Sequence, residues 1–505
     1  MFAGGCSLEA IEAICTNDNL APDAVLDVLT QLVDRSLVIP EEVDGSMRYR
    51  LLETMRAYGQ ERLRESGEGE AIRDRHLAWF RDLAVRAEVD FMGPNEEALL
   101  ALQQREESNF RAALEWSRVA AIAADPERLE SGLLLAGSLW RFWDMQGRLG
   151  EGRAQLTELL ALPGAERPTR GRAKALFAAG YGAFYQGGDL NAAAGLWEEG
   201  VRIARSLGPA HEVSLCLWSL TVVSVSRGEL DAAESYLAEQ EAVSGAIGFA
   251  LGSSIPIFWR GQIALLRGDR ANGVARIRES LEFIQGHGDR WYAGTVMIPL
   301  GQLALADGEL EAARVWFCRA VEIMSAFRDI HWMSVALLGL AWIASEQGEA
   351  ERAARIMGGV EALCDAVGMP MVDLFFQASH ERAIELARGQ LGEAAFAAFW
   401  AAGRTVPFAD FVADALGTGQ PSSSDDVSAR ETAPAGTTLS PREGEVAALI
   451  ARGLTNQQIA ETLVISPLTA ITHVRNIMRK LGVTSRAQVA AWVATNHGVG
   501  PQSLD

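Results

Sequence analysis

The sequence predicts an all-α protein: a solenoid of stacked helical hairpins, with a small N-terminal winged-helix unit and a C-terminal bundle of four short helices. Three observations predict it. Of 505 residues, 49% are hydrophobic, 22% are charged and only 7% are aromatic, with Ala, Leu, Glu and Arg abundant, a composition that favours packed helices. A glycine followed by an acid recurs every 40 residues through the middle of the chain. The last 67 residues contain four closely spaced helix starts. A chain this long can bury several cores.

Residues 1–63 read as a separate unit. Ala24 to Val38 reads as a helix running into a strand, with Leu26, Leu29, Leu32 and Val33 apolar. Asp44-Gly45 is a hairpin signal between Leu37-Val38-Ile39 and Tyr49-Arg50-Leu51. Helix, hairpin, helix makes a winged helix. The runs LVDRSLV and RYRLLETMRAYGQERL resemble the winged-helix part of STAND-type predicted ATPases. There it follows a nucleotide-binding domain, so the resemblance implies that the ATPase half is absent from this chain.

The repeats occupy residues 64–415. Gly188, Gly228, Gly268, Gly308 and Gly348 are each followed by Asp or Glu, and five positions on by Ala193, Ala233, Gly273, Ala313 and Ala353. Weaker copies are Gly147 with Gly152, and Gly389 with Ala394. Apolar residues at helical spacing flank each glycine. The glycine ends one helix in a left-handed conformation, and the small residue lets the next helix approach closely. One hairpin cannot bury its own apolar face, so copies must stack. Over roughly residues 130–415 the pattern resembles tetratricopeptide (TPR) repeats with lengthened helices, as in large LuxR regulators of the MalT type. The resemblance implies a concave face that senses a protein, peptide or small effector.

Residues 416–438, rich in Ser, Thr, Pro, Gly and Asp without apolar periodicity, read as a flexible linker. Residues 439–505 read as a helix-turn-helix domain. Ser440-Pro441-Arg442-Glu443 is a capping box with proline at the first helical position. Thr455 with Gln458, Ser466-Pro467, and Ser485 with Gln488 open three more helices, and Gly453 and Gly482 mark stops. In the third helix Ala470, Val474, Ile477 and Leu481 share one face, expected to pack on Val446, Leu449, Ile459 and Leu463. The opposite face carries Leu468, Ile471, Thr472, Arg475 and Arg479, cationic and hydroxyl groups without an acid, which suits a major groove. Thr455, Ser466, Arg479 and Lys480 are placed to hold phosphates.

The stretch LSPREGEVAALIARGLTNQQIAETLVISPLTAITHVRNIMRKLGVTSRAQ resembles the LuxR/GerE-type domain throughout. The resemblance implies base reading by Ile471, Thr472 and Arg475, and positioning on phosphates by Thr455, Asn456, Ser466, Thr469, Arg479 and Lys480. It also implies a homodimer joined through the fourth helix, Arg486 to Asn496. Leu468 and Ile471 stand where the family commonly carries Lys or Arg, so fewer phosphates are neutralised than in its typical members.

Charge supports this division. The net charge is −21. Leu439–Asp505 holds six basic and four acidic residues, a balance of +2, so the preceding residues carry −23. Both lysines, Lys174 between two alanines and Lys480 between Arg479 and Leu481, lie outside any Gly-Lys-Ser/Thr sequence, which excludes a P-loop in this chain. Five cysteines without a CxxC pair read as buried free thiols of a reducing compartment. No metal-ligand spacing, paired carboxylate or catalytic triad stands out, and neither does a membrane span or leader. The expectation is a cytoplasmic, non-enzymatic transcription regulator without cofactor or metal, whose partners are double-stranded DNA, an effector on the solenoid and a second copy of itself. The competing expectation is a TPR-like interaction scaffold with a vestigial DNA-binding tail.

Overall fold

A computed structural model describes residues 2–17, 20–43, 46–90, 95–119, 125–186, 188–249, 251–371, 376–417, 441–451, 462–463 and 477. The chain divides into two units, residues 1–420 and 421–505.

The first unit opens with β1 (Cys6–Ser7), α1 (Leu8–Cys15), α2 (Pro22–Asp34), β2 (Val38–Val43), β3 (Ser46–Leu51) and α3 (Glu53–Glu65). The strands form one antiparallel sheet in the order β1-β3-β2. The expected hairpin is present, with Val38 opposite Leu51 and Val43 opposite Ser46; its Asp44-Gly45 turn lies outside the described residues. The predicted helix is followed by the predicted strand, with Ser36 turning the chain between them at φ 56°. Helix α2 buries Val25 and Leu29 but leaves Leu26 exposed. The winged unit is tied to the repeats through α4 (Gly69–Asp90) and α5 (Glu96–Arg118). Buried Arg48 pairs with Glu106 of α5 and donates to the Gly5 carbonyl at 3.1 Å, which also accepts from Asn109 at 2.9 Å.

The repeats continue through α6 (Pro126–Ser138), α7 (Trp140–Met145), α8 (Leu149–Leu160), α9 (Arg170–Tyr185), α10 (Leu190–Leu207), α11 (His211–Ser226), α12 (Leu230–Ile247) and α13 (Leu251–Leu266). After these come α14 (Arg270–His287), α15 (Arg290–Ala306), α16 (Leu310–Phe327), α17 (Ile330–Glu346), α18 (Ala350–Val367), α19 (Gln377–Leu391), α20 (Glu393–Gly403) and α21 (Phe408–Leu416). Each predicted turn glycine from Gly188 to Gly348 has a positive φ, between 61° and 86°. The N–H of the following acid reaches back to the ending helix, as in Glu309 to Ala304 O at 2.9 Å and Glu349 to Ala344 O at 2.8 Å. That acid then starts the next helix. Asp189 and Asp269 cap it with a side-chain oxygen on the N–H of Ala192 and Asn272, whereas Glu229, Glu309 and Glu349 make no such bond. The small residues Ala193, Ala233, Ala313 and Ala353 are completely buried at the crossings.

One predicted copy is displaced. The last turn falls at Gly392 (φ 75°), and Gly389 lies inside α19. The missed signal is a second series of turns midway between the first, at Gly208, Gly248, Gly288, Arg328 and Gly368, all with positive φ. Trp140 and Trp143 belong to the core, as expected, and a Cβ on Gly152 would lie 2.3 Å from the Trp143 ring.

The solenoid winds far enough to touch itself. Glu96 at the start of α5 accepts the backbone N–H groups of Arg290 and Trp291, both at 3.2 Å, from the start of α15. Arg141 of α7 lies 3.8 Å from Glu96 and stacks 4.1 Å from the Trp291 ring centre. The Trp291 indole donates to Asp329 at 2.7 Å, and Tyr181 of α9 donates to Asp144 at 2.8 Å. Gly147 sits against Val367 and Ile330, where a Cβ would meet Val367 at 2.9 Å. Among the described residues, no helix is long and apolar enough to cross a membrane. All five cysteines are free thiols; Cys6, Cys216 and Cys364 are buried, and Cys15 and Cys318 are half-buried.

Candidate DNA interface and a cavity of the repeat body

The second unit contributes α22 (Pro441–Ala451). Its inner face is apolar by helical spacing, and Val446, Ala447, Leu449 and Ile450 are buried. Ile477 is fully buried and Leu463 half-buried. Of these, Val446, Leu449, Leu463 and Ile477 are residues the sequence assigned to the hidden side of the bundle; Ile459, Ala470, Val474 and Leu481 lie outside the described residues. The residues expected to touch DNA, namely Ile471, Thr472 and Arg475 for bases and Thr455, Asn456, Ser466, Thr469, Arg479 and Lys480 for phosphates, lie outside the described residues. So do Leu468, residues 418–438 of the linker and the Arg486–Asn496 segment, whereas Leu416, where the linker was expected to begin, still belongs to α21.

The first unit contains a cavity of about 360 Å³ formed by the leading helices of successive hairpins. Its walls include Phe184 and Tyr185 of α9, Trp218 of α11, Phe258 and Trp259 of α13, Tyr292 of α15 and Trp332 of α17. The lining repeats in register with the turns. Val222, Gln262 and Gln302 are 40 residues apart, and the same interval relates Tyr185 to Val225, Trp259 to Pro299 and Tyr292 to Trp332. Among the described lining residues there is no Asp, Glu, Lys, Arg or His. The Trp218 and Trp332 indole N–H groups and the Tyr292 hydroxyl are buried without a partner among the described residues. Burial first, and then the nearby Asp289 carboxylate, raise the Tyr292 hydroxyl above its ordinary range, so it stays a proton donor.

Residues 437–493 match the family model described as bacterial regulatory proteins, luxR family. The C-terminal segment is a LuxR-type helix-turn-helix domain. Residues 1–64 match the model of a winged helix-turn-helix domain, in agreement with the three-stranded sheet and its helices. The chain is 31% identical over 324 residues to Rv0890c of Mycobacterium tuberculosis, a protein named as an HTH-type transcriptional regulator; the match covers 62% of this chain and 35% of that one. The chain therefore spans about a third of the length of these mycobacterial relatives. The LuxR-type domain is also similar to part of the transcriptional regulatory protein LiaR of Bacillus subtilis, 46% identical over 59 residues, 12% of this chain and 28% of LiaR. Among solved structures, a STAND protein with a tetratricopeptide repeat sensor from Pyrococcus horikoshii aligns with a TM-score of 0.42 at 11% identity, covering 79% of this chain and 60% of that one. A Rap protein complexed with competence and sporulation factor aligns with a TM-score of 0.41 at 12% identity, over 67% of this chain and 99% of that one.

Sequence reasoning located the LuxR-type domain but passed over the cavity, because its tryptophans look scattered along the chain. Aligning the hairpins on their turn glycines would have stacked Val222, Gln262 and Gln302 in one column.

Proposed function

We propose that this protein is a transcription regulator that binds promoter DNA through its LuxR-type domain while the repeat body senses an effector. The LuxR family match over residues 437–493 carries the reading, and the buried face of Val446, Leu449 and Ile477 supports it. In this reading the third helix of the domain enters the major groove. Arg475 bonds bidentately to guanine, Thr472 reaches a base edge, and Ile471 meets a thymine methyl. Thr455, Asn456, Ser466, Thr469, Arg479 and Lys480 set the register on phosphates. A homodimer reads two half-sites about one helical turn apart. The acidic body, −23 by the charge balance, repels phosphate and confines binding to the tail.

Selection of random duplexes by the full chain tests the reading. An enriched two-fold motif is expected, and Arg475→Ala should lose about 1–3 kcal/mol and relax one position of each half-site. Enrichment unchanged by Arg475→Ala would remove that residue from base reading; no enrichment by either the full chain or residues 436–505 would defeat the regulator assignment.

A further inference from the structure

We propose that the cavity of the repeat body binds one uncharged, largely aromatic small molecule bearing hydrogen-bond acceptors, an inference that rests on reading that body as a sensor. Size is the first argument. A cavity of about 360 Å³ falls within the range that encloses a single small ligand. It is too small to bury a folded partner.

Charge is the second. The chain has a net charge of −21, yet the described lining contains no ionisable side chain other than the phenols of Tyr185 and Tyr292. An ionic ligand would give up its hydration there without a counter-charge, which strongly disfavours it. The walls instead offer the planes of Trp218, Trp259 and Trp332, which favour stacked or edge-on contact with another π system.

The polar groups give the third argument. Buried donors without partners are costly, and the Trp218 indole, the Trp332 indole and the Tyr292 hydroxyl are three such donors among the lining residues. Carbonyl, ether or ring-nitrogen acceptors on a ligand would satisfy them after small side-chain adjustments. The amides of Gln262 and Gln302, one repeat apart on the same wall, can donate or accept as the ligand requires.

Occupancy has a mechanical consequence. Repeats of a solenoid ordinarily contact only their neighbours, but this cavity is walled by α9, α11, α13, α15 and α17 together. One ligand would therefore bind five hairpins into a single body.

Titration of the full chain with two dyes sharing one aromatic skeleton tests the assignment. 6-Propionyl-2-(dimethylamino)naphthalene is neutral and carries a carbonyl acceptor, and 6-(p-toluidino)naphthalene-2-sulfonate carries a fixed negative charge. Expected are one neutral dye per chain, with energy transfer from tryptophan, and at least about tenfold weaker binding of the sulfonate. Gln262→Glu and, separately, Gln302→Glu place a carboxylate in the wall and should weaken the neutral dye by a similar factor without changing helical circular dichroism. Equal affinity for the two dyes, neutral-dye binding insensitive to both substitutions, or no neutral-dye binding would overturn the assignment. Duplex selection run in parallel separates the two readings. Failed selection with intact dye binding rejects the regulator alone, and successful selection without dye binding rejects this cavity assignment alone.

Discussion

Arg328 occupies a turn register that elsewhere holds Gly208, Gly248, Gly288 and Gly368, and it adopts φ 57°. A side chain in the left-handed region costs about 1–2 kcal/mol relative to glycine, offset in part by the greater freedom of glycine in the unfolded chain. Arg328 is exposed, so its removal sacrifices little packing. Arg328→Gly is expected to stabilise the body by roughly 0.5–1 kcal/mol, read as a higher urea midpoint with an unchanged slope. A lower midpoint would mean that the arginine makes a contribution outweighing its backbone strain. The same reasoning explains why the glycines of this chain were legible. Where φ must be positive the residue type is nearly dictated, and the dictated type repeats every 40 residues.

At the level of the helix, close approach is set by which residues lack a side chain. Phe317 of α16 is fully buried between Gly301 of α15 and Gly339 of α17; a Cβ would lie 2.9 Å from its ring at Gly301 and 2.4 Å at Gly339. Both helices approach the same side-chain atoms of that ring. Gly339→Ala should destabilise the body by about 1–3 kcal/mol through overpacking, measured by denaturant unfolding, and Phe317→Leu in the same chain should recover part of the loss. A Gly339→Ala chain as stable as the parent would show that α17 can shift outward freely. The sequence located these helices well because apolar spacing and caps are local properties. It misplaced the final turn by three residues because the 40-residue spacing points near Gly389, whereas Gly392, followed by Glu393 and five positions on by Ala397, fits the glycine-acid-small pattern, and Phe396 is buried on α20 just after the break at Gly392.

For the whole body, the contact that closes the solenoid joins residues nearly 200 positions apart and concentrates acids. Glu96, Asp144 and Asp329 are buried beside Arg141, and Asp289 is buried beside Glu96. Burial, followed by the charge of Asp289, pushes the Glu96 carboxyl from its ordinary 4.5 up to about 9. Burial and the Asp329 charge push Asp144 well above its ordinary value. The sign follows from proton binding. Below pH 4.5 Glu96 is protonated in both folded and unfolded chains. From there to about pH 9 the unfolded chain has released the proton and the folded chain retains it, so stability falls as pH rises. Between about pH 7 and 8.5, where unfolded histidines are mostly neutral, the thermal midpoint should decline, with a contribution from Glu96 of up to about 1.4 kcal/mol per pH unit. Glu96→Gln should flatten that decline. An equally steep profile in the variant would assign the proton uptake to another group. Opening this contact would separate α5 and α7 from α15 and α17, so the same measurement reports how firmly the ring around the cavity is held.

Local sequence was enough to specify the parts: a hairpin with a glycine turn and a small crossing residue, a winged unit with its strand pair, and a C-terminal domain whose LuxR-type character is written in one continuous stretch. Each depends on residues within a few turns of one another, where dihedral preference, capping and apolar period are sufficient. Packing at long range decided that the repeats wind until Glu96 meets Trp291, and that Tyr185, Trp218, Trp259, Tyr292 and Trp332 surround one space. Those outcomes depend on the small angle between successive hairpins accumulated over many copies. That angle is set by the fit of side chains across each crossing, and no local pattern records it.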